Sequence, residues 1–193
     1  TLDQHLIDKA QKKLPSVDWA NIKEFYSPEE VDAWAVSCYS EEYVKKYSYF
    51  NSNSPLNDYK GALYKNMNAS LMQGVTKRTT VKGLQDMLLS DSLPNSIVTY
   101  RFVSLKELLH IFVGTIFDRI YTVPIFWSTT LLKEDYAMGD IKNGRFLITI
   151  LAPEGSHGRY VPEVNPDRRE YEVLFAHNIK LKKLSPLSYC IIA

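Results

Sequence analysis

The order of the secondary-structure patterns constrains this chain most, because helical periodicity fills its first half and strand patterns fill its second half. Apolar residues at helical spacing predict helices at 2–14, 27–47, 57–74 and 79–91. Runs of β-branched and aromatic residues predict strands at 96–103, 121–130, 145–152, 170–176, 179–184 and 187–193, with one short helix at 104–112. Helices followed by strands, without regular alternation, predict an α+β domain.

The helix boundaries carry capping signals. Ser27 is a predicted N-cap, with Pro28 at the first helical position and Glu30 three residues after the cap. Ser104 and Glu107 form a second capping box at the start of the short helix. The helix at 57–74 is predicted to begin at Asn57 and to stop at Gly74.

The chain of 193 residues is the size of one compact domain. We expect a helical N-terminal part at 1–56 and a core at 57–193 within that single domain. The 23 Lys and Arg residues nearly balance the 22 Asp and Glu residues, so the net charge of +1 gives no argument for nucleic acid or an anionic membrane. The short basic run at 180–184 is interpreted as a solvated strand or turn.

Several site and segment types receive no support from the sequence. The longest apolar stretch, at 108–117, is interrupted by His and Gly, so no membrane span is predicted. Cys38 and Cys190 are interpreted as two free thiols, although one long-range disulfide would also fit two cysteines. The four scattered histidines predict no metal site. The chain begins at Thr1 rather than at Met, so a leader or a trimmed sequence is expected.

Polar residues interrupt two of the predicted strands. Arg101 lies in the middle of "VTYRFVS", where it either faces solvent or points inward and needs an anionic partner. A carboxylate or a phosphate would match its planar fork of donors. Ser128, Thr129 and Thr130 follow two aromatic residues in "FWSTTLL", which fits either a threonine-rich edge strand or a polar site.

The third polar element is "EYE". Side chains alternate in an extended strand, so Glu170 and Glu172 are predicted to share a face about 7 Å apart, while Tyr171 points away. Two solvent-facing glutamates on a surface strand are one interpretation of this pattern. A catalytic pair of carboxylates is the other interpretation, and the residues alone do not choose between them.

In this order the three elements resemble the Arg–Ser–Glu signature of bacterial mono-ADP-ribosyltransferase toxins and exoenzymes. Arg101 after the aromatic Tyr100 matches the arginine of the signature. The residues 128–130 match its Ser-Thr-Ser element with Thr in third place, and 170–172 match its Gln/Glu-x-Glu element. Over roughly residues 57–193 the layout is similar to the small C3-like exoenzymes. The resemblance implies an ADP-ribosyltransferase fold, a helical part followed by a mostly antiparallel two-sheet β core.

The resemblance also implies a substrate and a role for each site residue. NAD would be the substrate and no metal would be needed. Glu172 would hold the ribose and face the positive charge that develops on it, with Ser128 orienting that carboxylate. Arg101 would bind the NAD phosphates and Arg145 would add a second phosphate contact. Thr129 and Thr130 would line the nicotinamide side.

The identity of the acceptor is the last implication of the resemblance. Glu170 at the first position of the motif goes with arginine acceptors, whereas Gln goes with asparagine. The segment 161–169 would be the substrate-recognition loop, with Asp167, Arg168 and the adjacent Tyr171 contacting the acceptor. C3-like members carry an aromatic residue in this loop; "VPEVNPDRR" has none, which argues against a Rho-type target.

The biological setting follows from the same resemblance. We expect a monomeric virulence toxin, secreted or delivered into a host cell, that modifies a host protein such as actin or a small GTPase. Two alternatives stay open at this stage. One is an NAD glycohydrolase, in which water is the acceptor, and the other is a binding module that keeps the fold without catalysis.

Overall fold

The computed structural model describes residues 1–46, 55–59, 63–133, 145–162 and 169–192. Its helices are α1 (Gln4–Lys13), α2 (Pro28–Lys46), α3 (Pro55–Asp58), α4 (Tyr64–Met72), α5 (Thr79–Ser90) and α6 (Leu105–Thr115), with 3-10 turns at Trp19–Asn21 and Ile116–Asp118. In the described part of the chain, no helix combines the length and apolarity that crossing a membrane requires.

The predicted caps determine where the helices begin and end. Ser27 Oγ accepts a hydrogen bond from the Glu30 amide at 3.3 Å, and Ser104 Oγ accepts one from the Glu107 amide at 3.2 Å. Gly74 adopts a φ of 75° directly after α4, as the predicted stop requires. The helix predicted at 57–74 is described as two pieces, α3 and α4, and residues 60–62 between them lie outside the described part.

The described strands form one sheet rather than the two sheets that were predicted. They are β1 (Ile97–Val103), β2 (Tyr121–Thr122), β3 (Trp127–Thr130), β4 (Phe146–Ala152), β5 (Gly158–Val161), β6 (Glu172–Phe175), β7 (Lys180–Ser185) and β8 (Ser188–Ile192). Their order is β2-β7-β8-β4-β1-β3-β6-β5. Because β1 pairs with β3 on one side and with β4 on the other, hydrogen bonding is continuous across both halves. The pairing is mostly antiparallel, as predicted, with β4 and β8 parallel.

Three strand predictions differ from the structure. The strand predicted at 121–130 is split into β2 and β3 around Pro124, which lacks the N–H that a continuous ladder needs. The strand predicted at 170–176 begins only at Glu172. The strand β5 was not predicted, because its "GRYV" segment is too short to show alternation.

The helices cover the sheet and share its hydrophobic core. Trp34 of α2 packs on Phe25 and on Tyr160 of β5, with ring centroids 5.2 Å and 5.9 Å away. Ala10 of α1 and Trp19 join a second cluster with strand residues. Cys38 and Cys190 are both free thiols, and burial raises the pKa of Cys190 to about 11.

Candidate active site

A cleft of about 430 Å³ opens where β1, β3 and β6 lie side by side, and residues of α4 form one of its walls. Seven of the predicted site residues line it: Arg101, Ser128, Thr129, Thr130, Arg145, Glu170 and Glu172. Tyr171 is not among the lining residues. Asp167 and Arg168 lie outside the described residues. The sheet therefore brings together side chains that are up to 71 positions apart in the chain.

The carboxylate of Glu172 is held by a hydroxyl on the neighbouring strand. Thr130 is the direct antiparallel partner of Glu172, which places Ser128 on the same face of the sheet two residues further along β3. Ser128 Oγ donates to Glu172 Oε1 at 2.6 Å. Glu172 is 3% exposed, so this short hydrogen bond fixes a buried carboxylate in one orientation at the cleft.

Arg101 points into the cleft with its guanidinium anchored from behind. Its Nε and Nη2 donate to the two carboxylate oxygens of Glu107 at 2.9 Å and 3.3 Å. Its Nη1 donates to the main-chain carbonyl of Ser128 at 2.8 Å. These bonds use three of the five N–H donors that a guanidinium carries. The inward alternative for Arg101 is therefore the one that the structure adopts, and Glu107 supplies the required anion.

Glu107 is a site residue that the sequence did not reveal. It was interpreted as half of a capping box, but its carboxylate also accepts a hydrogen bond from Trp127 Nε1 at 3.0 Å. The Arg101 guanidinium lies 5.8 Å from the centre of the Trp127 ring. One carboxylate at the start of α6 thus holds Arg101 and Trp127 together, which fixes β1 and β3 behind the cleft.

The start of β6 has an unexpected backbone shape. Tyr171 has a φ of 47°, so 170–172 is not extended and the predicted strand alternation does not apply there. The Leu131 amide donates to the Tyr171 carbonyl at 3.0 Å, and Thr130 Oγ1 donates to the Glu170 carbonyl at 2.9 Å. Glu170 and Glu172 nevertheless both line the cleft. The turn at Tyr171 lies between them.

Tyr171 serves this turn as a buried anchor. It is 8% exposed and belongs to the main hydrophobic core. Arg169 lies over its ring, 4.6 Å from the centre, and donates through Nη1 to Asp32 Oδ2 of α2 at 3.0 Å. The hydrogen bond with Asp32 is the main cause of the raised pKa of Arg169. A residue so enclosed is in a poor position for the acceptor contact that was predicted for Tyr171.

Thr129 and Thr130 are the two threonines for which a place on the nicotinamide side is predicted. Thr129 and Thr130 line the cleft, but Thr129 Oγ1 donates to the Val173 carbonyl at 2.8 Å. Each hydroxyl is therefore engaged with the main chain of β6 or of the turn before it. These hydrogen bonds tie β3 to β6 and to the turn before it.

A comparison with known protein families shows the family of this chain. A family model described as "ADP-ribosyltransferase exoenzyme" matches residues 33–185, which is most of the chain. The chain belongs to this family. Membership places the chain among the ADP-ribosyltransferases. A comparison with curated protein sequences finds no significant match.

Solved structures show the same fold. An ADP-ribosylating toxin of a Clostridium perfringens binary enterotoxin, solved with NADH, superposes with a TM-score of 0.66 at 19% identity over 89% of this chain and 50% of that chain. A C3-type ADP-ribosyltransferase from Clostridium botulinum gives 0.65 at 15% identity over 90% and 100%. A C3-type protein from Staphylococcus aureus, solved with NAD, gives 0.52 at 17% identity over 88% and 96%. The exoenzyme thus spans half the length of the enterotoxin component and matches the C3-like chains over nearly all of theirs.

Aromatic residues that the sequence did not single out complete the cleft of the exoenzyme. Tyr59 packs edge-on against Phe126 with centroids 5.9 Å apart, and Tyr64 lies 6.0 Å from Tyr59. Asn68 of α4 accepts a hydrogen bond from the Phe126 amide at 3.1 Å and so ties the helix to the sheet. The available signal was the i, i+4 spacing of Tyr64 and Asn68, which places both on one helix face.

Tyr100 lines the cleft beside Arg101 on β1. Its hydroxyl donates to Glu24 Oε1 at 3.3 Å. Burial, followed by the nearby Glu24 carboxylate, raises the pKa of Tyr100 well above its usual value. Tyr100 therefore remains a neutral phenol at neutral pH and adds no negative charge beside the arginine of the cleft.

Proposed function

We propose that this exoenzyme transfers ADP-ribose from NAD to an arginine side chain of a host protein and releases nicotinamide. The observation that carries the proposal is the buried Glu172 carboxylate, held by Ser128 at 2.6 Å in a cleft that Arg101 and Glu170 also line. Family membership supports the use of NAD. The arginine acceptor is inferred from Glu170 at the first position of the Glu-x-Glu motif.

The reaction needs a fixed negative charge beside the ribose more than it needs an acid to protonate the leaving nicotinamide. The bond between the ribose C1′ and the nicotinamide nitrogen breaks, and its electron pair neutralises the pyridinium, which leaves without a proton. Positive charge then builds on the ribose ring, as in glycoside hydrolysis. At an effective dielectric constant near 20, opposite unit charges about 4 Å apart interact by about 4 kcal/mol, which is roughly a thousandfold in rate. Glu172 is the carboxylate that we assign to this role.

The other cleft residues fit the parts of NAD. Arg101 keeps two of its five N–H donors beyond the three bonds described above, and we assign these to the NAD phosphates. Arg145 at the cleft edge is proposed as a second phosphate contact. Thr129 and Thr130 are proposed to line the nicotinamide side. Tyr64, which is 40% exposed at the cleft, is proposed to offer its ring to a planar ring of the dinucleotide, and the buried Tyr59 packs beside it.

The acceptor arginine sets a second requirement. Its guanidinium is protonated near neutral pH, with a pKa above 12, and attacks C1′ only when a base takes one of its protons. Glu170 is at the cleft, close in sequence to Glu172 but separated from it by the left-handed Tyr171, so it is suited to the acceptor side. We therefore assign proton removal and orientation of the acceptor to Glu170.

The setting of the reaction is part of the same proposal. We infer a toxin that is secreted or delivered into a host cell and acts there as a monomer, with Asp167 and Arg168 contributing to acceptor recognition. Actin and small GTPases are the acceptor classes suggested by the resemblance to exoenzymes. No nucleic acid partner and no metal are included in the proposal.

Labelled NAD incubated with host-cell lysate tests the proposal. We expect the exoenzyme to label discrete protein bands, and we expect hydroxylamine to release the label, as it does from an arginine linkage. Glu172→Ala should remove the label. Release of nicotinamide at an undiminished rate without any labelled protein would instead identify a glycohydrolase, and absence of NAD binding would identify a non-catalytic module.

A further inference from the structure

The α6 helix and the turn that follows it expose a row of large apolar side chains. Within the helix these residues are four positions apart, so they form one stripe along its outer face. The stripe consists of Leu105, Leu109 and Val113, and it continues into Phe117 and Ile120 beyond the helix. Exposed apolar residues scattered singly are ordinary, whereas a contiguous row of this kind marks a surface that contacts something. We call this row the α6 stripe.

Phe117 is the most exposed member of the stripe. Its side chain is 87% exposed, and both Phe117 and Asp118 adopt positive φ values of 54° and 59°. The left-handed region is unfavourable for residues other than glycine, so two in succession require support from their surroundings. That support includes the Asp118 carboxylate, which binds Lys13 Nζ at 2.5 Å and lies 3.8 Å from Lys182 Nζ. The fold thus holds an aromatic ring outward in solvent.

Lysines cluster beside the α6 stripe. A shallow depression beside Phe117 is lined by Lys9, Lys12, Lys13, Lys182 and Lys183, and Asp118 is the one carboxylate among its lining residues. Lys183 Nζ lies 4.5 Å above the ring of Phe112, which connects the depression to α6 itself. On the opposite flank of the helix, Lys106 and His110 follow Leu105 and Leu109 in sequence and are exposed. The lysine-lined depression therefore lies on one flank of the apolar ridge, and Lys106 lies on the other.

We propose that this surface docks the exoenzyme onto an anionic lipid membrane, with the stripe inserted among the headgroups and the lysines on lipid phosphates. Protein–protein interfaces are depleted in lysine, whereas lysine clusters beside exposed apolar residues are characteristic of proteins that bind anionic bilayers. The chain's net charge of +1 does not reveal this cluster, because the excess is local. The stripe lies along the outside of an eleven-residue helix, so it rests on the bilayer rather than crossing it.

Sedimentation with phospholipid vesicles tests the proposal. We expect binding to vesicles of phosphatidylcholine with phosphatidylserine, little binding to phosphatidylcholine alone, and weakening by salt. Replacing Val113 and Phe117 together by serine should weaken binding at least about tenfold, because two buried apolar side chains are lost. Lys182→Gln with Lys183→Gln should weaken binding to the anionic vesicles selectively. Leu89→Ser, at a residue of α5 that is 46% exposed, is the matched control and should bind like the wild type.

Each result either supports the proposal or overturns it. The stripe and the lysines share no residue with the cleft, so the variants should cleave NAD at the wild-type rate, which also shows that they are folded. Failure of the wild type to sediment with phosphatidylserine vesicles overturns the proposal. So does wild-type binding by both the serine and the glutamine variants. Self-association of the wild type that the serine changes abolish would assign the surface to a second copy and would also overturn it.

Discussion

The contact between Glu107 and Arg101 shows how a charged residue outside the recognised motif prepares the cleft. The carboxylate occupies the rear edge of the guanidinium, at 2.9 Å and 3.3 Å, and takes a third bond from Trp127. The arginine is therefore presented in one orientation before any phosphate arrives. Such preorganisation lowers the entropy lost on binding, and Glu107 acts through Arg101 as a positioning residue.

We expect Glu107→Gln to raise the KM for NAD about tenfold and to change kcat little, because it weakens a charge-assisted hydrogen bond to Arg101, which we assign to the NAD phosphates. Steady-state kinetics of nicotinamide release measures both constants, and a thermal melt verifies folding. Lys106→Gln, the exposed neighbour on the same helix, is the control. A tenfold fall in kcat with an unchanged KM would contradict a role in NAD binding.

At this scale the sequence predicted the residues of the three motif elements, with Ser128 as the partner of Glu172, and missed Glu107 as the partner of Arg101. Arg101, Ser128, Glu170 and Glu172 stand in recognisable segments with polar side chains where a strand would ordinarily be apolar. Glu107 was hidden because its local role at the start of α6 already explains its presence. The contact with Arg101 depends on how α6 turns back beside β1, and no pattern within either segment records that.

The turn before β6 connects the N-terminal helices to Glu170 and Glu172. Asp32 on α2 holds Arg169, Arg169 lies over Tyr171, and the left-handed Tyr171 separates Glu170 from Glu172. An element far away in sequence thus helps to set the position of Glu170, to which we assign the acceptor side. Glu172 depends less on this chain of contacts, because Ser128 on β3 holds it directly.

We expect Asp32→Asn to reduce ADP-ribose transfer by about tenfold relative to NAD hydrolysis, because a misplaced Glu170 orients the acceptor poorly. The ratio of labelled acceptor to released nicotinamide is the measurement. Glu29→Gln, an exposed carboxylate on the same helix, should leave the ratio unchanged. A parallel fall of both activities would show that Asp32 supports the whole cleft rather than the acceptor side.

Two glycines allow a test of how closely the elements pack. A Cβ on Gly158 of β5 would lie 2.6 Å from the Phe175 ring, whereas a Cβ on Gly83 of α5 would lie 3.4 Å from Pro55 in ordinary contact. We expect Gly158→Ala to lower the free energy of unfolding by about 1–3 kcal/mol. Gly83→Ala should raise it by about 0.5–1 kcal/mol, because alanine is the better helix former. Urea unfolding measures both, and changes of the same sign would contradict this packing.

Element prediction succeeded where the signal was local. The starts of α2 and α6 and the stop after α4 followed from capping residues that act within one turn. The single sheet could not be predicted in the same way, because it depends on β1 pairing with both β3 and β4, which are separated by the segment 131–145. The turn at Tyr171 was missed because a tyrosine gives no sign of a positive φ.

At the scale of the whole molecule, the burial of His177 makes the stability of the fold depend on pH. His177 is 8% exposed, its ring lies 5.3 Å from that of Phe126, and its main chain exchanges two hydrogen bonds with Gln85. Burial lowers the pKa of His177 below its usual value of 6.5. Below pH 6.5 the unfolded chain therefore binds a proton more readily than the folded chain, and stability falls as the pH drops toward the lowered value.

We expect the free energy of unfolding to decrease as the pH is lowered from 7 to 5, and we expect His177→Phe to reduce this slope. Phenylalanine keeps a ring beside Phe126 but binds no proton. Asp118 makes its contribution at lower pH, because its hydrogen bond from Lys13 lowers an already acidic carboxyl pKa. Chemical denaturation at several pH values is the measurement, and an unchanged slope in the variant would assign the pH dependence to other groups.

The whole domain combines parts that the sequence treated separately. The helical part predicted at 1–56 contributes Trp34 to the core of the sheet and Asp32 to the turn before β6. The two parts pack against each other, so the boundary between a helical part at 1–56 and a core at 57–193 stays a prediction from the sequence. What could be predicted was the α+β class and the motif; what could not was the support that α2, α4 and α6 give to the cleft.

The division of labour between the two glutamates is the central claim of this account. Parallel measurement of nicotinamide release and of label transfer to a guanidino compound such as agmatine tests it most directly, in the wild type, Glu170→Gln and Glu172→Gln. We predict that Glu170→Gln loses transfer and keeps appreciable hydrolysis, whereas Glu172→Gln loses both by about a thousandfold. Full transfer by Glu170→Gln, or hydrolysis by Glu172→Gln at the wild-type rate, would contradict the account.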